Sequence, residues 1–198
     1  MTRLASREPV VASLTGRLSR ADLLWVANTA HGAGGHWHAR PRDDEPDHDH
    51  LASPEAAWTY LADHAVRVPE ELPDREALAE LGVIRDVVGR IGDSSLDAWT
   101  PAGRALLEEA EFSLDTAGRI WSTATGWRGF CRDLMPPLVE LVAARPRLRR
   151  CANPSCRLLF EDGSRNHARQ WCDTAGCGNR SRVRRARRRR LQAADEAR

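Results

Sequence analysis

The sequence predicts a mainly α fold in two parts: a helical N-terminal domain with one small β-hairpin, then a cysteine-rich module that ends in a basic helix. Three observations predict it. Residues that cap helices precede apolar runs of helical period at four places, Ser19, Ser53, Asp74 and Thr100. Four of the five cysteines fall in two matched pairs, Cys151-x4-Cys156 and Cys172-x4-Cys177, with 15 residues between the pairs. An arginine-packed run follows at once, with Arg at eight of the eleven positions from Arg180 to Arg190.

The elements follow in chain order. Residues 1–18 are mixed in character and read as a loosely ordered N-terminus. Ser19-Arg20-Ala21-Asp22 has the spacing of a capping box, and the helix it opens turns Leu23, Leu24, Val26, Ala27 and Ala30 inward. Periodicity is lost over residues 31–50, where three Gly, two Pro, five His and five acids read as a solvated loop. His31, His36, His38, His48 and His50, with Asp43, Asp44, Asp47 and Asp49, also have the donor types of a second metal site. A mobile polar loop accounts for the same residues without an ion.

Ser53-Pro54-Glu55 combines an N-cap, a first-turn proline and a first-turn acid. The helix beyond it groups Ala57, Trp58, Leu61, Ala62 and Ala65 on one face. Pro69 and Pro73 interrupt the chain before Asp74 caps a third helix, in which Leu78, Leu81, Ile84, Val88 and Ile91 recur at helical spacing. Thr100-Pro101 starts a short fourth helix through Leu106, Leu107 and Ala110. Residues 112–114 and 119–123 flank a Gly-containing turn and read as a hairpin. A last helix spans 128–144, where Pro136-Pro137 demands a kink or a break.

A length of 198 residues suits one domain plus a small module. The expected divisions are 1–18, the helical domain 19–144, the module 145–192 and a tail 193–198. The N-terminus has no apolar run of signal-peptide length and no later stretch is long enough to span a membrane, so the expected compartment is the cytoplasm. In a reducing compartment, paired cysteines favour metal over disulfides. Cys131, alone in an apolar helical pattern, reads as a small buried hydrophobe.

Two short loops with two thiolates each are what one tetrahedral structural Zn2+ requires, so Cys151, Cys156, Cys172 and Cys177 are the predicted ligands. His167 lies between the pairs as an alternative ligand, although four thiolates already close the site. A closed site leaves no position for an activated water, which makes the zinc structural. Asn153-Pro154 favours a tight knuckle, Leu158 to Phe160 can pair as a strand, and Trp171 can cover one side of the ion. Knuckle, hairpin and helix in that order make a treble-clef-like finger. Asn179 reads as a helix cap, and Arg180 either neutralises the thiolates or contacts phosphate.

Cys177-Gly178-Asn179-Arg180, together with Leu159 to Asn166 and Trp171-Cys172, resembles the CGNR zinc finger family. Proteins of that family commonly join this finger to an N-terminal helical ABATE domain, and Asn28-Thr29 is similar to the Asn-Thr signature of that domain. The resemblance implies a bacterial transcription regulator.

The net charge of +2 hides an asymmetry. Residues 1–144 carry 14 Arg and 23 acids, a balance of −9, whereas residues 145–198 carry 16 Arg and 5 acids, a balance of +11. Zinc held by four thiolates lowers the second figure to about +9. A basic module on an acidic body concentrates its field where a polyanion docks. The expected contacts are Arg180, Arg182, Arg184, Arg185, Arg187 and Arg188, with Val183 and Ala186 packing inward. DNA is the expected partner and RNA the alternative. A latch, in which the basic tail lies on its own acidic domain, accounts for the same charges.

No nucleophile–base arrangement or phosphate-binding glycine loop stands out, so the expectation is a non-enzymatic protein. The rival reading is a ligand-binding or enzymatic protein whose finger serves stability or protein contacts. A small-molecule effector and a homodimer are further expected partners, and a membrane is not.

Overall fold

The computed structural model describes residues 18–31, 48–93, 97–114, 116–144 and 147–196. The expected loose N-terminus and the middle of the His-rich loop lie outside the described residues. Seven helices and three two-stranded antiparallel ladders make up the described fold. The elements run α1 (Arg20–Ala27), β1 (Ala30–His31), β2 (His48–Asp49), α2 (Pro54–Asp63), α3 (Arg75–Gly92), α4 (Pro101–Glu108), β3 (Phe112–Leu114), β4 (Ile120–Ser122), α5 (Gly126–Asp133), α6 (Met135–Ala144), β5 (Leu148–Arg150), β6 (Leu159–Glu161) and α7 (Asn179–Glu196).

The caps act as the sequence predicts. Ser19 and Asp22 complete a capping box, and Ser53, Asp74 and Thr100 each accept a bond from a backbone N–H in the first turn of α2, α3 and α4. The expected helix over 128–144 divides into α5 and α6 at Leu134. Pro136 and Pro137 thereby fall in the first turn of α6, where a missing N–H leaves no bond unmade. The expected loop over 31–50 is ordered at both ends, where Ala30 pairs with Asp49 and His31 with His48.

Helix α3 is the axis of the body and meets α1, α2, α4, α5, α6 and β5. Ala77, Glu80, Leu81, Ile84, Val87 and Val88 form its buried face, at the spacing of one helical stripe. Leu23, Val26, Leu61, Leu134, Leu138 and Leu141 close the core around it. Gly103 lets α4 approach, since a Cβ there would stand 2.7 Å from Cγ2 of Val87. Glu80 is the one charged residue on the stripe, and it forms an ion pair at 2.9 Å with Arg132, itself 2% exposed. Trp58 and Trp127 add a polar handle to their bulk. Their indole N–H groups donate to Pro69 O and Glu71 O and tie down the proline-containing connector between α2 and α3.

The cysteine module docks on this body through β5 and β6. Leu148 and Leu159 belong to the main core, and a Cβ on Gly92 would collide with the Leu159 side chain. Bonds Cys151 N–H to Leu158 O and Asp162 N–H to Arg147 O set the ladder alternation, which turns the Leu159 N–H and C=O away from β5. Asn28, at the C-terminus of α1, takes both. Leu159 N–H donates to Asn28 Oδ1 at 2.7 Å, and Asn28 Nδ2 donates to Leu159 O at 2.9 Å. Tyr60 O–H donates to Asn28 O at 3.0 Å and fixes the backbone behind the clamp. Burial pushes the Tyr60 hydroxyl above its usual pKa, so it stays a donor. At the rim, Arg150 grips the Asp93 carboxylate with two nitrogens, at 2.7 and 3.2 Å.

Asn28→Ala leaves two buried backbone groups of Leu159 without partners, so the chain should lose about 2–4 kcal/mol of unfolding free energy at fixed zinc. Asn28→Asp keeps the acceptor and loses the donor, which places its unfolding midpoint between those of wild type and Asn28→Ala. Chemical denaturation of the three proteins checks the order.

Candidate metal centre and basic helix

The first cysteine pair sits in a knuckle built by its own turn residues. Cys156 N–H donates to Asn153 O at 2.9 Å, Cys151 N–H to Leu158 O at 2.8 Å, and Arg157 takes a left-handed conformation (φ 59°) to leave the turn. In the second pair Cys172 precedes, and Cys177 lies within, a wide turn over Thr174–Gly178, started by Asp173, whose carboxylate accepts from Ala175 and Gly176 N–H. That turn runs directly into α7. Ala152 N–H to Gln170 O, at 2.8 Å, ties the two halves together.

The result is one cluster. The Sγ atoms of Cys151, Cys156, Cys172 and Cys177 all lie within 4.8 Å of one another, with Cys156 to Cys172 at 3.6 Å and Cys172 to Cys177 at 3.7 Å. A tetrahedral zinc with bonds of about 2.3 Å requires sulfurs about 3.8 Å apart, so the four residues fit one structural Zn2+. The thiols perturb one another in opposite directions. Cys151 is lowered to about 7, first through its bond with Cys156, and Cys177 is lowered through Cys151, Cys156 and Cys172. Cys156 and Cys172 are raised, first through Cys151. All four can be held as thiolates this close only with a cation at their centre.

Donors surround the sulfurs. Asn153 Nδ2 and Arg180 Nη2 each reach Cys177 Sγ at 3.6 Å. Trp171 packs over Gly178, where a Cβ would stand 2.9 Å from its ring. Arg169 lies over the Phe160 ring at 5.2 Å and donates to Trp171 O and Cys172 O. Asp162, 3% exposed, braces the following loop by accepting from Ser164 Oγ, from Ser164 and Arg169 N–H, and from Arg149. The bond from Ser164 chiefly holds its carboxyl below the usual range.

Each predicted site residue now has a place. The four cysteines come together and Trp171 covers their flank. His167 is exposed and is not among the converging ligand atoms. Asn179 opens α7 with an exposed side chain, and Asp173 caps the preceding turn. Arg180 and Arg184 turn back to the finger, the first to Cys177 and the second to Ser155 Oγ at 3.2 Å. Val183 and Ala186 do not pack inward as expected; Val183 is 62% exposed and Ala186 is exposed too, because α7 leaves the finger after its first turns. Arg182, Arg185, Arg187, Arg188, Arg189 and Arg190 are exposed, and none is ion-paired to a carboxylate among the described residues.

Sequence reasoning missed Asn153 as a sulfur ligand's partner and read Asn153-Pro154 only as a turn. It also missed Arg169 and Asp162 as braces, whose one signal is the dense run of polar residues between the cysteine pairs.

Residues 147–190 match the CGNR zinc finger family. The match takes in all four cysteines, the β5–β6 ladder and the start of α7. No curated protein matches the chain. The CGNR tetrad supplies a ligand in Cys177, a close-packing site for Trp171 in Gly178, and a sulfur-directed guanidinium in Arg180.

Cys156→Ser and Cys177→Ser should each lose the bound zinc, read by elemental analysis. Because ligand thiols bind only as thiolates, protons compete with the ion, and zinc retention by the wild type should fall as pH falls. Zinc release followed with a chromogenic chelator from pH 8 downward checks the sign.

Proposed function

We propose that this chain is a zinc-dependent DNA-binding protein that regulates transcription in the bacterial cytoplasm. One observation carries the reading: a zinc-fitted finger holds the root of an arginine helix whose outer residues have no acidic partner among the described residues. A knuckle held by the β5–β6 hairpin and followed by α7 supports the treble-clef reading. Like-charge repulsion along α7 destabilises it alone, and phosphates relieve that repulsion while releasing counterions.

The contact face follows from helical geometry. Arg180 and Arg184 serve the finger, so Arg182, Arg185 and Arg189 occupy the opposite side of α7. Arg188 flanks that face, whereas Arg187 falls on the side of Arg180 and Arg184 and is exposed there. Among the described residues no carboxylate pairs with these arginines, which supports phosphate contact over a latch on the described part of the acidic body.

The helical body, ABATE-like in this reading, senses a small molecule or dimerises, and it has no catalytic role. The clamp between Asn28 and Leu159 gives such an event a route to the finger.

Replacing Arg182, Arg185 and Arg189 together with Ala should weaken duplex binding and reduce the slope of log affinity against log salt by about 0.9 for each lost phosphate contact. Fluorescence anisotropy at several salt concentrations reads both. Unchanged affinity and slope would remove this face from the interface. Tighter binding of structured RNA than of duplex DNA at equal salt would transfer the reading to RNA.

A further inference from the structure

The ends of the His-rich segment form a second cluster, remote in sequence from the cysteines. The antiparallel register sets His31 opposite His48, and His50 N–H continues the pairing by donating to Thr29 O at 2.8 Å. Directly opposed residues in such a ladder project to the same face. Three imidazoles therefore gather. Their ring centroids are 5.2 Å apart for His31–His50, 5.6 Å for His31–His48 and 5.8 Å for His48–His50. Nε2 of His31 and Nε2 of His50 stand 3.2 Å apart. His31 is 5% exposed, and Tyr60 stacks on His50 with centroids at 4.2 Å.

The His31–His50 spacings are those of two ligands on one ion. With metal–nitrogen bonds of about 2.0–2.1 Å and tetrahedral angles, two Nε2 atoms lie about 3.3 Å apart and their ring centroids about 5.2 Å apart. The His31–His50 pair meets both values as it stands. His48 lies on the same face, within 0.6 Å of that centroid spacing to either ring; its nitrogens do not converge with the other two as they stand, and a side-chain rotation would bring the third one in. Asp49, between His48 and His50 in the chain, projects to the opposite face, where its Oδ1 accepts from Arg85 at 2.7 Å and from Leu51 N–H at 3.0 Å.

We propose that His31, His48 and His50 form a second metal site, for a borderline divalent ion of the zinc, cobalt or nickel kind. The donor set argues the class: neutral imidazole nitrogens suit these ions, whereas calcium and magnesium require oxygen. Three nitrogens leave a fourth position open to water or an exchangeable ligand, unlike the closed cysteine site. The four-thiolate site ends with two negative charges and this one keeps the full positive charge of the ion. The site does not depend on nucleic-acid binding.

The test uses the full chain and Co2+ as the probe. Cobalt bound to thiolates gives strong sulfur-to-metal charge-transfer absorption, which imidazole-bound cobalt lacks. Titration of the metal-free protein should give two equivalents: one with the charge-transfer bands and one with weak visible bands alone. His31→Ala and His50→Gln should each lose the second equivalent and keep the first, whose retained spectrum shows that the finger still folds. His167→Ala, in the finger, should keep both. A wild-type stoichiometry of one, or a second equivalent that survives both His31→Ala and His50→Gln, overturns the proposal.

Discussion

Four sulfurs within 4.8 Å of one another are the constraint from which the C-terminal module takes its form. Thiolates at that separation repel unless a cation sits among them, and the segment from Cys151 to Cys177 has little apolar material of its own. Its buried cluster holds the cysteines with Leu158 and Phe160, and little else. A structural zinc contributes roughly 10–16 kcal/mol to small fingers, which is the scale needed to order so thin a core. The metal thereby decides whether the knuckle, the β5–β6 ladder and the root of α7 exist together.

What the metal orders on one side, the helical body uses on the other. Leu148 and Leu159 point from the ladder into the core built on α3, and Asn28 satisfies the edge of β6 as a neighbouring strand would. The finger is thus part of the packing of the body, with the clamp as its polar seam. Tyr60 joins the seam through its hydroxyl and stacks its ring on His50.

The legibility of this structure in its sequence follows the range of each interaction. Caps at Ser19, Ser53, Asp74 and Thr100 are local, and each helix starts where its cap predicts. The cysteine pairs are legible because metal geometry restricts spacing. The β1–β2 ladder was not, since two-residue strands carry no alternation and their partners lie 17 residues apart or more. The Asn28 clamp joins residues 131 apart, and nothing in either neighbourhood announces it beyond the Asn-Thr pair itself. Val183 misled because an apolar residue on a helix implies a partner surface, and α7 has left the finger by that point.

The central proposal is that a metal-set finger presents an arginine helix to a polyanion. The most direct measurement is the affinity of the zinc-loaded chain for random-sequence duplex DNA as salt is raised, beside a chelated sample of the same chain. The account predicts binding at low salt that weakens steeply as salt rises and disappears on chelation. A zinc-loaded chain that does not bind at low salt, or that binds without salt dependence, would contradict it.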